Sequence, residues 1–238
     1  MKPGSVPKQD VMEFLDRGFA ALGLTPGRYL VGGRQYHGTA QGRLVHVYLR
    51  PVYFRSNSNL PSQYHGHDLE LYVRGGFRTR LSLVHKQSLN SWVETKFAKL
   101  PAVDVKEVEE AGLALHARDE IWARGFFESG KTTVLNIAQR DGGRCMSSLR
   151  VYPTVLNLNS RQFWNAYTPE KIHSFVQDLL QLAEVAEALP PPCPPEVETQ
   201  KERGFYDRSK TIPWGCLGVG IAVAFICFVL FTLIQLNT

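Results

Sequence analysis

One stretch of this chain, the uncharged run from Trp214 to Ile234, constrains its structure more than any other feature of the sequence. A helix rises ~1.5 Å per residue, so about 20 apolar residues are enough to span the ~30 Å hydrocarbon core of a bilayer. Only the short segment 235–238 follows this run, and we therefore expect the helix to enter the membrane after the rest of the protein has been made. The sequence predicts a tail anchor, with a transmembrane helix over residues 213–235.

Small residues recur along one side of this predicted helix. Cys216, Gly220 and Ala224 are spaced by four residues, and Gly218 and Ala222 lie on the adjoining row. A flat face of this kind lets a second membrane helix approach closely, although glycine and alanine are also ordinary constituents of membrane spans. The five residues are therefore a candidate helix-packing interface.

The residues around the run predict its orientation. Arg203, Arg208 and Lys210 precede it and no charged residue follows it, and the positive-inside rule places such a basic flank in the cytoplasm. The N-terminus lacks the continuous apolar stretch of a secretory signal, and Cys145 has no second domain cysteine with which to pair. We therefore expect a single-pass membrane protein whose N-terminal domain is cytoplasmic, with the lipid bilayer as one partner.

The remainder of the chain has the composition of a folded domain. The protein is 44% hydrophobic and 11% aromatic, which is more apolar than a disordered chain. The proline-rich run PPPCPP begins at Pro190 and is followed by a polar segment, so we predict a domain over 1–189 and a linker over 190–212. The net charge of +5 comes without a Lys/Arg tract, and nucleic acid is therefore not an expected partner.

Periodicity predicts the fold class. Residues 8–22 have helical spacing, whereas RYLVGG, QYHGTA and GRLVHVYLRPVYF alternate with the period of strands. A closing hairpin, SSLRVY with TVLNLN, precedes a last helix that Thr168-Pro169 opens. These patterns predict an α+β fold, an antiparallel β-meander sheet packed against helices, plus the C-terminal transmembrane helix.

A tight turn is predicted at Gly75-Gly76. Two adjacent glycines favour a two-residue hairpin turn, here between DLELYVR and FRTRLSLVH. This pairing would bring Asp68 and Glu70 beside Arg78 and Arg80 on a solvated face of the sheet.

The segment GLALHARDEIWARGFF predicts a strand and then a helix with Asp119 at its N-cap. Its residues Ala117, Asp119, Ala123 and Arg124 resemble a pattern found in bacterial families of membrane-associated domains of unknown function. The resemblance covers the layout of residues 30–188. It implies an α+β fold and attachment to a membrane, and it assigns no catalytic residue.

The same segment leads into GFFESGKT, which satisfies the phosphate-binding pattern G-x-x-x-x-G-K-[ST]. In such a loop Gly125 and Gly130 allow the backbone amides to cradle phosphates, Lys131 reaches the β- and γ-phosphates, and Thr132 holds Mg²⁺. The motif needs a buried strand before its first glycine, whereas a helical pattern precedes it here, and Glu128 would repel phosphate. We expect a break at Gly130 between two helices, with nucleotide binding as the alternative.

Histidines offer a candidate metal site. His65 and His67 lie close together in HGHD, and three further histidines fall on nearby predicted strands: His37, His46 and His85. A transition-metal site needs three such ligands to converge, and no Cys-x-x-Cys supports one. There is also no G-x-S-x-G nucleophile motif. The sequence therefore predicts no cofactor and no catalytic residue, and we do not expect an enzyme.

Two functions are compatible with these features. The first is a non-enzymatic, tail-anchored accessory or scaffold subunit of a larger membrane protein complex, which contacts other subunits through the small-residue helix face and the domain surface. The alternative is a membrane-tethered nucleotide-binding regulator that uses the P-loop-like segment Gly125–Thr132.

Overall fold

The structure, a computed structural model, describes residues 9–28, 33–54, 62–86, 100–143, 146–163, 166–200 and 202–203. The chain divides into two compact units, Met1–Glu198 and Thr199–Thr238. In the second unit, the described part is a short stretch in which the backbone N–H of Thr199 donates to the Glu202 carboxylate over 2.6 Å. The domain boundaries suggested by the sequence, 1–189, 190–212 and 213–235, stay a prediction.

Within the described ranges, nine strands form one antiparallel sheet and four helices accompany it. The strands are β1 (Leu24–Arg28), β2 (Arg34–Ala40), β3 (Arg43–Phe54), β4 (Gln63–Arg74), β5 (Leu81–His85), β6 (Ala102–Val103), β7 (Leu113–Ala117), β8 (Met146–Tyr152) and β9 (Val155–Gln162). The helices are α1 (Gln9–Ala20), α2 (Lys106–Glu110), α3 (Glu120–Gly143) and α4 (Pro169–Ala188). The strand order is β1-β2-β3-β4-β9-β8-β5-β7-β6.

Alternation along the strands divides the sheet into an apolar face and a polar face. On β4, Leu69, Leu71 and Val73 are buried in the same core cluster as residues of all four helices. The residues between them, such as Asp68 and Glu70, point to the opposite face, because successive side chains on a strand point to opposite sides. The apolar face therefore carries the helices, and the polar face is the side on which charged residues gather.

The last helix begins and packs as the sequence predicts. Thr168 caps it by accepting the backbone N–H of Lys171 at 3.3 Å, and Pro169 occupies the first turn. Its apolar stripe is buried throughout: Ile172, Phe175, Val176, Leu179, Leu182, Ala183 and Ala186. The α+β character of the prediction is therefore confirmed.

The predicted meander is confirmed from β1 to β4, but the predicted strand order is wrong after β4. β4 pairs with β9, and β5 pairs with β7 and β8, so β4 and β5 are not a hairpin. After β4 the chain passes the β8–β9 turn, where Gly75 donates to the carbonyl of Thr154 and Arg78 to that of Pro153. The β8–β9 hairpin thus separates the two strands that Gly75-Gly76 was expected to join.

The predicted fold class also needs correction at its C-terminal end. Among the residues that the structure describes, no helix is both long enough and apolar enough to cross a membrane. The predicted transmembrane segment, 213–235, lies outside the described residues. Over the residues that the structure describes, the architecture is accordingly a nine-stranded antiparallel sheet with four helices.

After α4 the chain returns and contacts earlier residues of the same unit, at the start of α3 and beside β5. The backbone N–H of Cys193 donates to Asp119 Oδ2 at 2.9 Å, and that of Glu196 donates to the carbonyl of Arg78 at 2.6 Å. The Glu196 carboxylate lies 2.9 Å from Arg80 Nη1 and 3.5 Å from Arg118 Nε. The first part of the predicted linker is therefore bound to the domain that precedes it.

Candidate functional site

A polar cleft lies on the polar face, where β3, β4, β9 and β8 are neighbours. Register pairs Arg50 with Asp68, Asp68 with Arg161, Glu70 with Asn159, and Asn159 with Ser148. The six side chains line a cavity of about 230 Å³. We refer to these six residues as the polar cleft: Arg50, Asp68, Glu70, Ser148, Asn159 and Arg161.

The charges of the polar cleft are arranged in two layers. Arg161 makes a bidentate contact with Asp68, Nε to Oδ1 at 2.5 Å and Nη2 to Oδ2 at 3.1 Å. Arg50 Nη2 lies 3.3 Å from Asp68 Oδ2 and 3.4 Å from Glu70 Oε1. The arginine side chains are 45% and 54% exposed, whereas Asp68 and Glu70 are 13% and 12% exposed. Solvent therefore meets guanidinium groups, with the carboxylates beneath them.

Hydrogen bonds stabilise the charged form of this arrangement. The bond from Arg161 to Asp68 raises the pKa of the Arg161 guanidinium, although partial burial opposes the shift. The Tyr72 hydroxyl donates to Glu70 Oε2 at 2.8 Å. The cluster is thus a fixed network of charge-assisted hydrogen bonds.

One acceptor in the polar cleft is not used by the described residues. Asn159 Nδ2 donates to Ser148 Oγ at 3.1 Å, but its Oδ1 is buried and accepts no hydrogen bond from the part of the chain that the structure describes. Buried carbonyl oxygens are usually hydrogen-bonded. Asn159 Oδ1 is therefore a buried acceptor beneath the cleft that lacks a donor among the described residues.

His65 and His67 do not converge on one site. Gly66 between them has φ +113° and lies at a register irregularity in the β3–β4 pairing, so the strand alternation is broken there. His67 is buried with its Nδ1 2.5 Å from the Tyr64 hydroxyl, whereas His65 is exposed and packs edge-on against Phe54. Within the described ranges, no group of three or more potential ligands is placed to hold a metal ion.

His67 makes stability depend on pH. Burial lowers its pKa from 6.5 to about 4, so between these values the unfolded chain binds more protons than the folded one. We expect the free energy of unfolding to fall as the pH drops from about 6.5 to about 4, by up to about 1.4 kcal/mol per pH unit. Urea unfolding across this range measures the slope. The His67→Gln variant should lack this contribution, whereas replacing the exposed His37 by glutamine is the control; equal slopes for all three proteins would contradict the prediction.

The P-loop candidates lie inside a continuous helix. Gly125, Gly130, Lys131 and Thr132 all belong to α3, so the predicted break at Gly130 and the second short helix are wrong. A Cβ at Gly130 would lie 2.8 Å from Leu182 Cδ2, which indicates that this glycine allows close packing of α3 on α4. Lys131 Nζ is 2.9 Å from Glu107 Oε1. The segment therefore has no loop of free backbone amides, and its lysine is engaged in an ion pair.

The residues that carry the family resemblance form a strand–helix junction. Ala117 ends β7, Asp119 Oδ1 accepts the backbone N–H of Trp122 at 3.0 Å, and Ala123 is fully buried. Arg124 pairs with Glu120 one helical turn earlier. The predicted N-cap is therefore confirmed and also binds the returning chain at Cys193. The resemblance itself stays a prediction.

The remaining candidate residues fall on the uncharged run near the C-terminus. The small-residue face of this run lies outside the described residues, so its helix-packing role stays a prediction. The face comprises Cys216, Gly218, Gly220, Ala222 and Ala224.

Sequence reasoning missed the polar cleft. Asp68 and Glu70 were expected on a solvated face, but their arginine partners come from β3 and β9 rather than from the chain after β4. Asp68 and Arg161 are 93 residues apart in the chain. No local pattern reveals such a pair, because periodicity shows which face a residue occupies and not which strand lies beside it.

Comparison with known proteins identifies no family. No protein-family model matches the chain, and no curated protein matches it. The chain is similar to one solved structure, "crystal structure of the mycobacterial trehalose monomycolate transport factor A, TtfA", with a TM-score of 0.49 and 8% sequence identity. The alignment covers 77% of this chain and 98% of that one. Function therefore has to be inferred from the chain's own residues.

Proposed function

We propose that this chain is a non-enzymatic accessory subunit of a larger membrane protein complex, and that its first unit binds a protein partner through the polar cleft. The layered charge of the cleft is the observation that carries the proposal. Both carboxylate oxygens of Asp68 contact guanidinium groups. A carboxylate engaged in this way positions arginines and has little capacity left to act as a general base.

The size of the polar cleft supports a protein partner rather than a separate small molecule. Its volume of about 230 Å³ is below the ~300–1,000 Å³ typical of small-molecule sites. It is sufficient for one or two side chains of a docked protein. Half-exposed guanidinium groups can pair with carboxylates or carbonyls of such a partner, and arginine is enriched at protein interfaces.

The membrane part of the proposal is supported by the sequence. The uncharged run 214–234 and the basic residues before it are features of chains that associate with a bilayer. We place the first unit on the cytoplasmic side, where other subunits of the complex would reach the polar cleft.

Co-purification tests this function. The full-length protein, extracted in mild detergent, should carry a defined partner that mass spectrometry identifies. Changing Arg50 and Arg161 together to glutamine should lower partner recovery by about tenfold, because two exposed donors are removed from the interface. The same change at Arg43 is the matched control, since Arg43 makes a bidentate pair with Glu187, outside the cleft, at 2.9 and 2.8 Å.

Two results would contradict the proposal. One is a clean monomer without a partner after gentle extraction. The other is full partner recovery with the double variant, provided that its thermal unfolding shows a folded domain. Loss of the partner with the Arg43 variant as well would indicate a general effect of charge rather than a role of the polar cleft.

A further inference from the structure

Exposed aromatic residues lie close together at one end of the sheet, where β3 and β9 end and β4 begins. Phe54 is 62% exposed, Phe163 52% and Tyr53 45%. We call this surface the aromatic tip; it comprises Tyr53, Phe54, Tyr64, His65 and Phe163.

Ring contacts within the aromatic tip form two groups, one around Tyr64 and one of Phe54 with His65. The Tyr64 ring lies 5.9 Å from Tyr53 and 6.0 Å from Phe163 between centroids, and Phe54 lies 5.8 Å from His65. Each ring therefore has an aromatic neighbour, and Tyr53, Phe54 and Phe163 still expose about half of their surface or more to solvent. Exposed apolar patches of this kind mark surfaces that bind something else.

The more exposed charged side chains beside the aromatic tip are two arginines, which are paired with two carboxylates. Arg50 and Arg161 precede the aromatic residues on β3 and β9, and each is about half exposed. Their acidic partners, Asp68 and Glu70, are mostly buried beneath them. A surface approaching this end of the sheet therefore meets aromatic rings and guanidinium groups before it meets carboxylates.

We propose that the aromatic tip, together with Arg50 and Arg161, binds the surface of an anionic lipid bilayer. Phenylalanine and tyrosine rings are favoured at the boundary between headgroups and acyl chains. Arginines near an anionic leaflet gain attraction from its negative surface potential. This inference rests on the proposed function for the presence of a membrane, and it adds a second contact with lipid, made by the folded unit itself.

Photo-crosslinking in vesicles tests the inference on the full-length protein. The protein is reconstituted into phosphatidylcholine vesicles that contain about one-third phosphatidylserine, a trace of which is photoactivatable. Crosslinked peptides identified by mass spectrometry should include the segments with Phe54 and Phe163. Changing both phenylalanines to serine should lower crosslinking of these segments by about tenfold. The Ile121→Ser variant is the matched control, because Ile121 is an almost fully exposed apolar residue on α3.

Charge is tested separately from aromatic contact. Vesicles of phosphatidylcholine alone should give several-fold less crosslinking at the aromatic tip, and so should the Arg50→Gln, Arg161→Gln variant in the anionic vesicles. Equal crosslinking in neutral and anionic vesicles would overturn the requirement for anionic lipid.

The outcomes separate this inference from the proposed function. Protein that floats with the vesicles but shows no crosslinks at the aromatic tip overturns the lipid contact alone and favours a protein-binding role for the tip. Protein that stays in solution overturns both the lipid contact and the membrane location. Normal partner recovery by the Phe54→Ser, Phe163→Ser variant, with lost crosslinks, is the expected result, because neither phenylalanine lines the polar cleft.

Discussion

Replacing Gly66 by valine should lower the free energy of unfolding by about 3 kcal/mol or more, because two separate effects combine at this position. Gly66 has φ +113°, a conformation that a β-branched residue strongly disfavours. A Cβ would also lie 2.7 Å from the carbonyl oxygen of Gln162. That atom belongs to the backbone of β9, so it cannot move aside without disturbing the β4–β9 pairing.

Gly76 provides the control for this substitution. It is exposed, and a Cβ there would have no neighbour within 4 Å. The Gly76→Val variant should therefore change stability by less than about 1 kcal/mol. Urea unfolding of both variants measures the difference. Similar losses at the two glycines would show that the bulge at Gly66 does not have the conformation described above.

Replacing Phe175 by alanine should destabilise the first unit by about 3–5 kcal/mol. Phe175 is fully buried on α4, and its ring lies 4.7 Å beneath the guanidinium of Arg140. That guanidinium pairs with Asp178 at 2.6 Å. The substitution therefore leaves a cavity in the core and removes the ring that positions the Arg140–Asp178 pair between α3 and α4.

Thermal unfolding measures this loss, and a decrease in Tm of about 10 °C is expected for a domain of this size. The Phe14→Ala variant is the control, because Phe14 lies on the exposed side of α1 and should cost less than about 1 kcal/mol. A small effect at Phe175 would mean that the helices do not share one core with the sheet.

The sequence revealed the elements of this fold better than their arrangement. The alternation that places Leu69, Leu71 and Val73 in the core can be read locally, and so can the Thr168 cap, because each depends on neighbouring residues. The insertion of the β8–β9 hairpin between β4 and β5 depends on contacts between distant segments. Gly75-Gly76 therefore predicted a turn that the tertiary structure does not form.

The same limit applies to the candidate sites. GFFESGKT matches a phosphate-binding pattern by residue type, but Gly130 serves helix packing and Lys131 an ion pair. A pattern of residue types carries no information about whether the backbone is a loop or a helix. The polar cleft and the aromatic tip had no local signature, since their members come from strands that meet only in the folded chain.

The returning segment after α4 sets the length that a fragment needs if it is to keep the contacts of the first unit. A polypeptide cut after residue 189, where the helical pattern stops, would lack the Glu196 carboxylate between Arg80 and Arg118 and the backbone bond to Arg78. It would also lose the backbone N–H of Cys193, which donates to Asp119 at the start of α3. A fragment that keeps these contacts therefore extends at least to Glu196, and the first compact unit ends at Glu198 with a segment that is not helical.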